Sequence, residues 1–109
     1  MIKIGIKGKD KGVYVGRPSI LGNPYKMKTI YDRNEVCDKY EVWFEKHKDD
    51  DAIKQELDRL MDIYYHNDNK LILTCYCAPN RCHAETIKKY LEKRLENVQK
   101  SQKAMLEGE

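Results

Sequence analysis

The chain opens with MIKIGIK, in which Ile2, Ile4 and Ile6 alternate with Lys3, Gly5 and Lys7. A period of two suits a half-buried strand. Beyond the turn bounded by Gly8 and Gly12, Val13, Tyr14 and Val15 predict a second short strand, and the two are expected to pair as a hairpin. From Arg17 to Tyr31, Pro18, Gly22 and Pro24 break any period, so the stretch reads as a long ordered loop, a feature often functional in small domains. Helical spacing returns at Val36, Tyr40, Trp43, Phe44 and His47, with Asp32 or Asn34 as the cap. A second helix, capped by Asp50 or Asp51, carries Ile53, Leu57, Leu60, Met61 and Tyr64 on one stripe and ends in the polar turn HNDN. KLILTCYC is nearly continuously apolar, the pattern of a central strand covered on both faces. A turn from Ala78 to Arg81 leads through Cys82 and His83 into a third helix, with Ile87, Tyr90, Leu91, Leu95 and Val98 facing inward. Beyond Val98 the pattern fades, so residues 99–109 are expected to form a frayed or disordered tail.

The resulting order, β-β-α-α-β-α, predicts a single small α/β domain over residues 1–98, with a short central sheet and flanking helices. A chain of 109 residues buries roughly two-thirds of its unfolded surface and needs no disulfide framework. No apolar run approaches the roughly 18 residues of a membrane span, and the N-terminus lacks the pattern of a secretory signal. A cytoplasmic protein without membrane partners is therefore expected. In that reducing setting Cys37, Cys75, Cys77 and Cys82 are thiols, metal ligands or reactive groups rather than staples. The net charge of +3, from 21 basic and 18 acidic side chains, is too even to indicate nucleic-acid binding. Lys88, Lys89, Lys93, Arg94, Lys100 and Lys103, interrupted by Glu92 and Glu96, read as a solvated helix face. His47 and His66 fall at helix ends, where an imidazole usually meets C-terminal carbonyls, and Cys37, Trp43 and Phe44 read as core.

Two stretches carry unusual chemistry. In GRPSILGNPY, glycines and prolines fix a loop around Arg17, Ser19 and Asn23. Arg17 offers a planar fork of donors for phosphate or carboxylate, and Gly22 would admit a ligand close to the backbone. The plainer reading is a rigid turn whose arginine pairs with a carboxylate. The second stretch, CYCAPNRCHAE, lies where a buried strand feeds a helix, the junction at which open α/β sheets bind ligands and helix N–H groups favour anions. Cys82, beside His83 at the helix start, is expected to have a lowered pKa and to be the most reactive thiol, with Cys37 and Cys75 buried. Three sharper patterns fit only in part. The Cys-x-Cys-x4-Cys-His ligands lack the paired Cys-x-x-Cys of common zinc sites. The Cys75-x5-Arg81 spacing of thiol phosphatases lacks loop glycines, and Pro79 removes an N–H donor. The His83-x-Glu85 and Pro79-x-x-Cys82 fragments of a deaminase signature overlap in the wrong order.

VYVGRPSILGNPY followed by LTCYCAPNRCHAE resembles the domain of unknown function 4326 family, common in phages and bacteria. The shared features are Tyr14 to Arg17, Leu21 to Pro24, Tyr40, Cys75 to Pro79 and Cys82–His83. Tyr76 stands where the family often has Trp, and Ala84 where it often has Gly. The resemblance implies that the two motifs form one composite site, and it points to a phage-encoded protein.

The expected site therefore joins the Arg17–Pro24 loop to the Cys75–His83 turn and takes a nucleotide-like or other phosphate-bearing small molecule. Arg17, Ser19, Gly22, Asn23 and Pro79 would bind the ligand. If it is turned over, by a transferase or hydrolase of nucleotide metabolism, Cys77 or Cys82 would be the nucleophile and His83 the acid/base. No cofactor is expected. One alternative is a phage-encoded module that captures a nucleotide signal to counter host defence. Another is a zinc-stabilised interaction module using Cys75, Cys77, Cys82 and either His83 or Cys37. The arrangement requires the second strand to run parallel to KLILTCYC, because an antiparallel pairing would carry Arg17 to the opposite end of the sheet.

Overall fold

The computed structural model describes residues 1–77 and 80–107. The alternating IKIGI becomes strand β1 (Ile2–Ile6), Val13–Tyr14 becomes β2, and Leu71–Cys75 becomes β3. The expected hairpin does not form. The sheet order is β1-β3-β2, and both outer strands pair with β3 in parallel, Ile6 opposite Cys75 and Val13 opposite Leu73. The reason lies in β3, whose Leu71, Leu73, Thr74 and Cys75 are all buried. A strand shielded on both faces is best used in the middle of a sheet, with both edges hydrogen-bonded.

Joining β1 to β2 demands a crossover over the end of β3, and a short one suffices because β2 re-enters only two rungs behind the end of β1. Asp10 holds the turn by accepting the Ile6 N–H at 2.8 Å. Gly12 is sterically required: a Cβ there would lie 2.5 Å from the Ile72 carbonyl oxygen. Past Tyr14 the ladder continues by one bond, from the Val15 N–H to the Thr74 carbonyl.

A 3-10 turn (Ile30–Asp32) leads into α1 (Arg33–His47), followed by α2 (Asp51–His66) and α3 (Ala84–Glu107). Thr29 caps the 3-10 turn, and the Asp32 carboxylate reaches back to the Lys28 and Thr29 N–H groups instead of capping α1. Asp50 likewise makes no cap bond and pairs with His47 at 2.7 Å; His66 meets the Asp62 carbonyl, as a histidine in a last turn should. The stripes pack as their periodicity requires. Tyr40 and Phe44 of α1, Leu57, Leu60 and Met61 of α2, and Ile87 and Leu91 of α3 join Leu71 and Leu73 in one core. Trp43 is only partly buried against that core. Val98 is exposed, contrary to its expected inward position, and α3 continues to Glu107, past the point where the apolar period fades. The described residues thus form a single α/β domain with three helices and a three-stranded sheet. No helix among the described residues is long and apolar enough to cross a membrane.

Candidate functional site

The parallel pairing of β2 with β3 brings the chain after Tyr14 out at the same end of the sheet as the chain after Cys75. The first of these exits is built as a rigid loop. Leu21 is fully buried, and its carbonyl accepts the Tyr40 hydroxyl at 2.7 Å. Asn23 donates through Nδ2 to the Val36 carbonyl at 3.1 Å and accepts the Tyr25 N–H at 2.9 Å. Ser19 Oγ accepts the Leu21 N–H at 3.2 Å. A Cβ on Gly22 would lie 2.8 Å from the Arg17 backbone nitrogen, so the glycine admits the returning loop and not, as expected, a ligand. Ser19, Gly22 and Asn23 therefore shape the loop, and Arg17 is the side chain they leave exposed. No carboxylate among the described residues pairs with it, which sets aside the reading of a structural ion pair.

The second exit runs through the cysteines. Cys75, Cys82 and His83 are buried, and Cys77 is half-buried. His83 Nε2 lies 2.7 Å from the Val15 carbonyl oxygen. A carbonyl can only accept, so Nε2 carries the proton and Nδ1 is left as an acceptor, 3.3 Å from Cys82 Sγ. Burial holds the His83 pKa below its ordinary value, with the nearby Arg17 charge acting in the same direction. Cys82 Sγ lies 2.9 Å from Cys75 Sγ. This contact and burial push the Cys82 thiol well above its usual range, while the Ala84 backbone N–H at the helix start pulls the other way and loses. The expected activation of Cys82 is thereby corrected: at 3% exposure, desolvation and the neighbouring sulfur outweigh the helix dipole. Of the three cysteines in this turn, Cys77 is the one open to solvent.

Between the two exits lies a cavity of about 360 Å³, near the lower end of small-molecule sites. Arg17, Cys77, Cys82 and His83 line it together although they come from distant parts of the chain. Asn23 lines it as well, with its amide already engaged, whereas Ser19 and Gly22 do not. Pro79, the remaining expected ligand contact, lies outside the described residues.

Three arginines converge here, and only two keep their charge available. The Arg81 guanidinium donates to Asp38 at 2.8 Å and to the Asn34 carbonyl and side chain at 3.2 Å, with Glu41 at 3.5 Å. That arrangement also answers the thiol-phosphatase spacing, because Cys75 is buried against Cys82 and Arg81 is turned to carboxylates. Arg33 donates to the Arg81 carbonyl at 3.1 Å and, like Arg17, has no carboxylate partner among the described residues. The start of α3 contributes less than expected to an anion site. Glu85 accepts the Cys82 N–H at 3.2 Å, so the positive end of the helix already has its own carboxylate.

Periodicity and spacing missed Arg33, Tyr14 and Tyr76 as lining residues. Arg33 sits in the first turn of α1, three residues before Val36, and the buried Val36 and Tyr40 turn that end of the helix toward the loop. Tyr76 follows the buried Cys75 and is 72% exposed. The run KLILTCYC is expected to be covered on both faces, but the strand ends at Cys75 and the Tyr76 ring lies outside it. Among the described residues, no group of three or more His, Cys, Asp or Glu side chains is arranged to hold a metal ion. Of the expected zinc donors, His83 has one nitrogen on the Val15 carbonyl and the other facing Cys82.

No curated protein and no solved structure matches the chain. The model of the family described as Domain of unknown function (DUF4326) matches residues 3–93, a span that contains all of β1 but its first residue, β2, β3, both loops of the cavity and all three converging arginines, and on that match the chain belongs to this family.

Proposed function

We propose that the cavity binds a phosphate-bearing, nucleotide-like small molecule in the cytoplasm of a phage-infected or bacterial cell. The observation that carries this reading is the convergence of Arg17 and Arg33, neither with a carboxylate partner among the described residues, on a cavity of small-molecule size. Two guanidinium groups provide full charges and forked donors, which suit a phosphate better than a helix end already occupied by Glu85 does. Capture without turnover is favoured over catalysis, because both nitrogens of His83 are engaged and the Cys82 thiol is buried. Should the ligand be turned over, Cys77 is the nucleophile best placed for it, since it lines the cavity and reaches solvent.

Calorimetric titration of the intact chain with nucleoside mono- and diphosphates tests the reading. Binding that weakens with salt, and weakens at least tenfold in both Arg17→Ala and Arg33→Ala, is the expected result. Failure of every anion to bind at millimolar concentration, or unchanged affinity in both variants, would overturn it. One tightly held zinc per chain, with unfolding on chelation, would instead establish the zinc-stabilised module.

A further inference from the structure

The cavity is too large to be filled by a phosphate group alone, so its walls carry information about the rest of the ligand. The hydrogen-bonding groups of those walls are largely spent. Both polar atoms of the Asn23 amide and both nitrogens of His83 have partners, and the Tyr14 hydroxyl donates to the Arg17 carbonyl at 2.8 Å. Arg81 is held by Asp38 and Asn34. A ligand that engages the walls through sugar hydroxyls alone would meet few partners among the described residues. What the walls do offer is aromatic and apolar surface: Tyr14, Tyr76, Met27 and Val36.

Tyr76 stands out within this surface. Its ring meets Tyr14 edge to face, with centroids 5.6 Å apart and planes at 68°, while Lys7 lies over the Tyr14 ring at 5.2 Å. Tyr14 is thus occupied by two neighbours. Tyr76 is braced by one ring among the described residues and remains 72% exposed at the cavity wall. A braced, exposed ring beside two cations is a platform for a flat heterocycle. Resting on the anion-binding reading above, we propose that the ligand is a nucleotide whose base stacks on Tyr76 while its phosphate is held by Arg17 and Arg33. Tyr76 is then a specificity-determining residue that separates nucleotides from sugar phosphates.

The test titrates the intact chain with the four ribonucleoside monophosphates, the matching nucleosides and ribose 5-phosphate. At least one monophosphate should bind about tenfold or more tightly than ribose 5-phosphate, the order expected for one stacked base. Tyr76→Ala should remove that advantage while leaving ribose 5-phosphate unchanged, and Tyr76→Phe should keep it. The side chain is exposed, so the melting temperature of Tyr76→Ala should match that of the parent and confirm folding. Ribose 5-phosphate binding as tightly as every monophosphate, or Tyr76→Ala weakening both alike or neither, overturns the stacking role while the anion site survives. Nucleosides binding as tightly as their monophosphates would overturn the anion reading, and no binding by any probe would overturn both.

Discussion

The loop after β2 and the turn after β3 meet in one cavity, yet they are built in opposite ways. The first is held by hydrogen bonds from polar side chains, Ser19 and Asn23, around a single buried anchor, Leu21, and it leaves a charged residue exposed. The second is held by burying its reactive groups, Cys75, Cys82 and His83, against one another, and it leaves Tyr76 and the half-buried Cys77 outside. Groups that look chemically active in the sequence serve as scaffold in both. What remains available is a cation on one side and an aromatic ring with a thiol on the other.

Removing the anchor of the first loop should break this contrast most severely. Leu21→Ala is expected to cost about 2–5 kcal/mol in urea denaturation, the range for emptying a packed leucine site, and to release Arg17 from the cavity. A loss below about 1 kcal/mol would mean that the polar bonds alone hold the loop. In the second turn the expected effect is kinetic. With limiting iodoacetamide at neutral pH, Cys77 should be alkylated about a hundredfold faster than Cys82, which must first be uncovered by local opening. Peptide mass spectrometry reads the order, and Cys82 reacting first would restore it as the activated thiol.

A smaller effect separates charge from scaffold in the first loop. Arg17→Ala should weaken nucleotide binding by about 1.5–3 kcal/mol and leave the urea midpoint nearly unchanged, because the side chain is exposed and has no carboxylate partner among the described residues. A loss of stability as large as the loss of binding would place Arg17 with the scaffold.

The smallest effect is the pH dependence of the second turn. Burial holds the folded His83 pKa below its ordinary value of 6.5. As pH falls, the unfolded chain takes up this proton first, so stability present above about pH 6.5 is lost progressively toward the lower folded pKa. For one group the slope stays below about 1.4 kcal/mol per pH unit. Urea midpoints between pH 7.5 and 5 should therefore fall more steeply in the parent than in His83→Gln, and parallel curves would contradict a buried neutral imidazole.

Periodicity alone determined the helices, the central strand and most of the core. Tyr40, Leu57 and Leu91 are each identified by spacing relative to near neighbours and Leu73 by a nearly continuous apolar run, and burial of such patterns is a local demand that any compact fold must meet. The two motifs of the site were legible for the same reason, since glycine, proline and cysteine are conspicuous in sequence. Strand partnership was not. The neighbouring strands β1 and β2 resemble a hairpin in sequence, and only the need to cover both edges of β3 sends them to opposite sides of it, in parallel, carrying Arg17 to the cysteine turn. The state of each site residue also depended on neighbours that the fold brings beside it. Val15 fixes the His83 tautomer, Cys75 raises the Cys82 pKa, and Asp38 claims Arg81 while Arg17 is left available. Desolvation and pairing are set by distances through space, and separation along the sequence does not encode them.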